Sequence, residues 1–116
     1  HIPFEAIQRG DRNAAVQAYS ALNPTDPAVR EEWLNNLGYQ LMNEGQVKQG
    51  QDVFFVNMQL YPTSANVHDS YAEACLKLGD KREALLHYKR AAQMDPNNAN
   101  AASIAADLER EGIKAE

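Results

Sequence analysis

Residues of unlike types recur along this chain at one constant interval of 34 residues. The pairs separated by this interval are Leu41 and Cys75, Gly45 and Gly79, Gly50 and Ala84, Phe54 and Tyr88, and Pro62 and Pro96. Chance agreement across glycine, aromatic and proline positions together is improbable. Because a single repeat leaves an apolar face uncovered, the interval predicts a stack of repeated units.

The residues between the apolar segments indicate where helices end and begin. Gly79 suits a left-handed helix end, and Asp80 directly after it supplies an N-cap carboxylate for the next helix. Glu83, three residues later, resembles the second half of a capping box. Pro62 and Pro96 cannot continue a helix, so each closes the second helix of its unit.

Apolar residues between these boundaries recur at intervals of three and four, as in Leu34, Leu37 and Leu41. No strand-like alternation competes with this pattern. The sequence therefore predicts an all-α chain of about seven helices, the third capped by Asp26 and beginning with Pro27. The predicted helices span roughly residues 3–9, 11–22, 27–44, 47–60, 65–78, 81–94 and 99–112.

A helix-turn-helix unit of this length and pattern resembles the tetratricopeptide repeat (TPR). In the first complete unit the signature is carried by Leu34, Leu37, Gly38, Leu41, Gly45, Gly50, Phe54, Asn57 and Pro62. In the second it is carried by His68, Tyr71, Ala72, Cys75, Gly79, Ala84, Tyr88, Ala91 and Pro96. Gly50 and Asn57 depart from the family, which favours alanine at both positions.

The resemblance implies a right-handed superhelical stack of antiparallel helix hairpins, a TPR-like α-solenoid, in a single domain over residues 1–116. Its expected parts are an irregular N-terminal repeat (1–30), two repeats (31–64 and 65–98) and a C-terminal capping helix (99–116). The family's usual role implies a non-catalytic scaffold for protein-protein interaction.

Composition and charge exclude several other roles. The formal net charge is -5, and Lys and Arg form no run longer than Lys81-Arg82 or Lys89-Arg90, so we expect no nucleic-acid partner. No apolar run approaches the roughly 20 residues that a membrane-spanning helix needs, so we expect no membrane insertion.

No pattern of catalytic residues stands out in the chain. It has no glycine-rich phosphate loop, no nucleophile elbow and no histidine pair at the spacing of a helical metal site. His68 and His87 lie too far apart in sequence to form a local pair, and His68 takes the place of a packing aromatic. Cys75 suits a small core position. We therefore expect no enzyme activity, no cofactor and no metal.

Two surface features leave alternatives open. Asp69 and Glu73 lie one helical turn apart, which favours a solvated face over acid-base chemistry. Trp33, the single tryptophan, fits two roles equally well, because tryptophan both anchors partners and packs between helices.

The TPR resemblance also implies where a partner binds, since the first helix of each unit lines a concave groove in that family. The implied groove residues are Glu32, Asn35, Asn36, Tyr39, Met42, Asn43, Asn66, Asp69, Ser70, Glu73, Lys77 and Asn100. The alternative is that these are ordinary solvated helix faces. Amides and carboxylates dominate the set, which suits a polar or basic peptide or protein segment.

Chaperone-binding members of the family hold a terminal carboxylate with a clamp of lysine, arginine and asparagine. The corresponding positions here are Asn35, Tyr39, Ser70, Asn100 and Ile104. Without a cation among them, recognition of an acidic chaperone tail is disfavoured.

The two complete units also resemble repeats appended to bacterial serine hydrolases of the esterase or beta-lactamase-related type. The segments that carry this resemblance are 37–41, 61–70 and 79–81, together with Tyr88-Lys89. They imply an alternative function as a C-terminal accessory or oligomerisation domain of a larger enzyme with its active site outside this chain. A further alternative is a homodimer formed through an exposed terminal helix.

Overall fold

The structure, a computed structural model, describes residues 2–115 and shows only helices, turns and loops in that range. Seven α-helices and one short 3-10 helix, named η1, follow one another along it. They are α1 (Ile2–Arg9), α2 (Arg12–Ser20), η1 (Pro27–Val29), α3 (Glu31–Asn43), α4 (Val47–Leu60), α5 (Ala65–Lys77), α6 (Lys81–Met94) and α7 (Ala99–Arg110). The all-α prediction is confirmed.

The prediction of one continuous third helix over 27–44 was wrong in its first turn, which the structure shows as the separate helix η1. Asp26 does act as a cap, with its carboxylate accepting a hydrogen bond from the Ala28 N–H at 2.9 Å, but it caps η1. Arg30 then adopts an extended backbone, with ψ at 139°, and α3 starts only after it. The Asp26-Pro27 signal could not show this break, because a capping carboxylate followed by proline starts a 3-10 helix here as it would an α-helix.

The glycine stops and the aspartate cap of α6 have the predicted chemistry, but the Glu83 half of the capping box does not form, because the Asp80 N–H donates to the Cys75 carbonyl oxygen at 2.9 Å. Gly10, Gly45 and Gly79 have φ angles of 76°, 86° and 84°, the left-handed geometry that ends a helix on glycine. The Asp80 carboxylate accepts the Glu83 N–H at 3.2 Å, which caps α6 as predicted.

The chain divides between Pro62 and Thr63 into two compact units. In the first unit, α1 packs on α2, α2 packs on α4, and α3 and α4 form an antiparallel hairpin. In the second, α5 and α6 form a hairpin on which α7 packs through α6. The single domain over 1–116 stays a prediction.

Each unit has its own buried side chains. The core of the first unit includes Ile7, Tyr19, Leu34, Val53 and Val56. Buried side chains of the second unit include Tyr71, Cys75, Leu85, Tyr88 and Leu108. The packing role predicted for Cys75 is confirmed, since its side chain is fully buried.

Small residues set the distance between α3 and α4. A Cβ atom placed on Gly38 would lie 2.2 Å from Cε1 of the Phe54 ring. A Cβ atom on Gly50 would lie 2.7 Å from the Gly38 carbonyl oxygen and 2.8 Å from Cγ of Met42. Gly50, a departure from the family's alanine, therefore belongs to a closer approach of the two helices at this point.

Two polar side chains lie fully buried in α4. The Asp52 carboxylate accepts hydrogen bonds from Nε of Arg12 at 2.9 Å and from Nζ of Lys48 at 2.6 Å. The Arg12 guanidinium also stacks 4.3 Å above the Phe55 ring, so this ion pair joins α2 to α4. Asn57, the other departure from alanine, donates from Nδ2 to the Glu31 carbonyl oxygen at 3.1 Å and so joins α4 to α3.

Replacing Gly38 with alanine should lower the free energy of unfolding by about 1 to 3 kcal/mol, because the added methyl group overpacks the Phe54 ring. Urea unfolding followed by circular dichroism measures this change. Asn36→Ala, at an exposed position of the same helix, is the control and should change stability by less than about 0.5 kcal/mol. Unchanged or higher stability in Gly38→Ala would show that helix propensity outweighs the contact.

Arg12→Ala should cost about 3 kcal/mol, because it leaves the buried Asp52 carboxylate with Lys48 as its remaining cation. The Lys48 side chain is 60% exposed, so Lys48→Ala should cost about 1 kcal/mol or less. Thermal and urea unfolding of the two variants test this order. Equal losses would contradict the assignment of Arg12 as the main partner.

Candidate functional site

Five of the implied groove residues form a polar stripe on α3, here called the α3 face: Glu32, Asn35, Asn36, Tyr39 and Asn43. Glu32, Asn36 and Asn43 are exposed, and Asn35 and Tyr39 are partly exposed. Their spacing of three and four residues places them on one side of the helix. The edge of the Tyr39 ring meets Phe54 at a centroid distance of 5.0 Å, which fixes that side chain against α4.

Met42 does not belong to this accessible stripe. Its side chain is buried, and its Cγ atom fills the space beside Gly50. The TPR resemblance implied a groove position for Met42, but in this chain the glycine at position 50 leaves a space that the Met42 side chain fills.

The remaining implied residues lie on the second unit. Asn66, Lys77 and Asn100 are exposed, while Asp69 and Glu73 are partly exposed. Ser70 is only 2% exposed, so it offers no contact surface to a partner and the expectation is corrected there.

Asp69 has a structural role in the second unit. Its carboxylate accepts a hydrogen bond from Nδ2 of Asn98 at 2.9 Å. Asn98 in turn caps α7, with its Oδ1 accepting the Ala101 N–H at 3.0 Å. Asp69 therefore fixes the start of α7 against α5, and its partly exposed carboxylate also faces solvent.

Trp33 is 55% exposed, so its indole does not pack fully between helices. Leu34, the next residue along α3, is fully buried. The structure thus favours the exposed alternative for the tryptophan, on the side of α3 next to the α3 face.

Two histidines that seemed unrelated in the sequence meet inside the second unit. Nδ1 of His68 on α5 lies 3.0 Å from Nδ1 of His87 on α6, and the rings stack. Tyr71 meets the His87 ring edge-on, and Glu83 lies 3.3 Å from its Nε2 atom. A direct Nδ1–Nδ1 hydrogen bond holds one shared proton, so one of the two rings accepts it through an unprotonated Nδ1 atom.

Within residues 2–115 no cluster of three or more His, Cys, Asp or Glu side chains is placed to hold a metal ion. The same range contains no helix with the length and apolarity needed to cross a membrane.

Comparison with known proteins supports the repeat assignment. Residues 65–98, which form most of the second unit, match the family model described as "Tetratricopeptide repeat". The match covers the same residues as the second repeat of the 34-residue interval. No curated protein sequence matches the chain.

Solved structures with this fold cover almost the whole chain. A crystal structure of MamA aligns with 97% of this chain at a TM-score of 0.66 and 22% identity, and the chain spans 65% of that protein's length. The first TPR of Spaghetti (RPAP3), bound to the HSP90 peptide SRMEEVD, aligns with 94% of this chain across 86% of its own length. The TM-score is 0.67 and the sequence identity is 16%. The Yersinia enterocolitica type III secretion chaperone SycD, in complex with a peptide of the translocator YopD, aligns with 96% of this chain across 89% of its own length. The TM-score is 0.67 and the sequence identity is 17%.

At these identities the likeness shows the fold, and the fold is that of TPR proteins. The TPR-type fold that the resemblance implied is therefore confirmed. The more specific link to serine hydrolases is not supported by these findings and stays a prediction.

Acid should destabilise the second unit through its histidine pair. Burial, followed by the charges of His68 and Arg90, lowers the pKa of His87 from 6.5 to about 4. The unfolded chain therefore binds a proton below pH 6.5 that the folded chain takes up only near pH 4, so stability falls as the pH drops through this window. We expect a loss of about 2 kcal/mol between pH 7 and pH 5 from this group.

Urea unfolding at several pH values measures this loss, and His87→Gln is the matched variant because a neutral amide keeps the capacity to hydrogen bond. Its stability should depend less on pH between 4 and 6.5. An identical pH dependence in the two proteins would show that other groups dominate acid unfolding.

Proposed function

We propose that this chain is a non-catalytic protein-interaction module that binds a polar or basic segment of another protein along the α3 face. The observation that carries the proposal is the division of α3 into two sides. Leu34, Gly38 and Leu41 are buried, whereas the α3 face presents only amide, carboxylate and phenol groups to solvent. Such groups donate and accept hydrogen bonds at fixed positions, because the helix beneath them is anchored to α4.

The charge of α3 selects among partners. No Lys or Arg occurs between residues 31 and 43, while Glu31 and Glu32 lie in the first turn. A basic segment gains from these carboxylates, and an acidic one meets like charge. The peptide in the Spaghetti complex, SRMEEVD, is acidic near its end, so we expect this chain to take a different class of ligand.

The second unit adds a smaller polar surface from Asn66, Glu73, Lys77 and Asn100. Lys77 makes this surface mixed in charge, and we propose it as an additional contact region for the same kind of partner. The accessory-domain and homodimer interpretations draw on no particular contact within residues 2–115, so they stay alternatives.

Replacing three exposed side chains of the α3 face with alanine should weaken partner binding without unfolding the chain. In the triple variant Glu32→Ala, Asn36→Ala, Asn43→Ala, every replaced side chain is exposed and alanine favours the helix. We expect its affinity for basic peptides, selected from a randomised library against the parent chain, to fall at least about tenfold by calorimetry. The control is Gln17→Ala with Gln59→Ala, two exposed positions outside α3, which should bind like the parent.

Two outcomes would contradict the proposal. Selected peptides that bind the triple variant as tightly as the parent would remove the α3 face as a recognition surface. A library that yields only acidic peptides would overturn the charge argument.

A further inference from the structure

The first unit has an apolar cleft beside the α3 face, here called the Trp33 cleft. Its volume is about 550 Å³, within the range of sites that hold part of a ligand. The side chains that line it come from α1, α2, η1 and α3 and from the residue that ends α3, and they include Phe4, Tyr19, Trp33, Leu37, Leu41 and Glu44. Most of the surface they present is aromatic or aliphatic.

The cleft is an open surface and not a defect of the core. α1 packs on α2 and α4, and α3 packs on η1 and α4, so the space between α1 and α3 stays open to solvent. Trp33 stands at this opening with 55% of its surface exposed. An exposed tryptophan next to an apolar depression is the usual composition of a binding hot spot.

One ionisable group at the cleft limits what can enter it. Glu44 is the carboxylate that lines the cleft, and its side chain is exposed with no ion pair among the described residues. Arg12 and Lys48, two of the unit's cations, are bound to Asp52. A ligand that carries a positive charge at this end therefore complements the cleft, and an anionic ligand does not.

The backbone of a partner protein has no strand edge to pair with among the described residues. Recognition therefore depends on side chains. Glu44, the C-cap of α3, follows Leu37 by seven residues, which is about 10 Å along the helix axis. A helix lying along α3 matches this distance with apolar residues at i and i+4 and a cation at i+7.

We propose that the Trp33 cleft docks an amphipathic helical segment of a partner protein, with its apolar side chains beside Trp33 at the level of Leu37 and Leu41 and a Lys or Arg against Glu44. This inference rests on the proposed function and specifies the chemistry of the partner. It differs from the α3 face in placing the main apolar contact on the neighbouring side of the helix.

The single tryptophan makes this docking directly observable, because its fluorescence shifts to the blue when the indole loses water. The probe is a synthetic alanine-based helical peptide of about 14 residues, with leucines at i and i+4 and lysine at i+7. A matched peptide carries glutamate at i+7. We expect a saturable blue shift with the lysine peptide. The glutamate peptide should bind at least about twofold more weakly.

Variants locate the contact. Trp33→Ala, followed through a fluorophore on the peptide, should weaken binding at least about tenfold. Glu44→Gln should weaken the lysine peptide about two- to fivefold and leave the glutamate peptide no weaker. Glu109→Gln, an exposed carboxylate of the second unit, and Met94→Ala, an exposed apolar residue of the same unit, should each change affinity less than about twofold.

The results separate this inference from the proposed function. The cleft assignment is overturned if the lysine peptide binds without changing the Trp33 emission, or if neither peptide binds. In either case, loss of binding of library-selected peptides in the α3-face triple variant would still support the proposed function. A blue shift that grows with protein concentration without peptide, together with a dimer by sedimentation, shows that a second copy covers the cleft and also overturns the inference.

Discussion

The close approach of paired helices at small residues is the constraint on which both units depend. In the first unit, Gly38 leaves room for the Phe54 ring, and Gly50 lets α4 approach the backbone of α3. In the second, Ala72 and Ala84 are fully buried at the positions that correspond by the 34-residue interval. Because each hairpin buries one side of its first helix in this way, the opposite side is left to face solvent on a rigid support.

Polar groups inside the hairpins join particular helices to one another. The Arg12–Asp52 pair joins α2 to α4 across 40 residues of sequence, and the His68–His87 pair joins α5 to α6. Such buried pairs add little net stability over apolar packing, but an unsatisfied partner in a wrong arrangement is costly. They therefore favour one register of the helices, and the histidine pair makes that register sensitive to acid.

Local signals in the sequence predicted most of the fold. Glycine stops, aspartate caps and prolines gave the helix boundaries, since each acts within a few residues of itself. The break at Arg30 and the two buried polar pairs escaped prediction, because they arise from tertiary packing between residues distant in sequence. The same limit applies to the site: the TPR resemblance implied that Met42 and Ser70 face a partner, whereas packing against neighbouring helices buries both side chains.

The most direct test of the central claim, recognition of a protein segment by the exposed side of α3, is nuclear magnetic resonance mapping of the isotope-labelled chain. A library-selected basic peptide would be titrated into the protein while backbone and side-chain amide shifts are followed. The account predicts saturable changes concentrated at α3, including the side-chain amides of Asn36 and Asn43, with little change in α6. Changes concentrated in α6 or α7, with α3 unaffected, would contradict it.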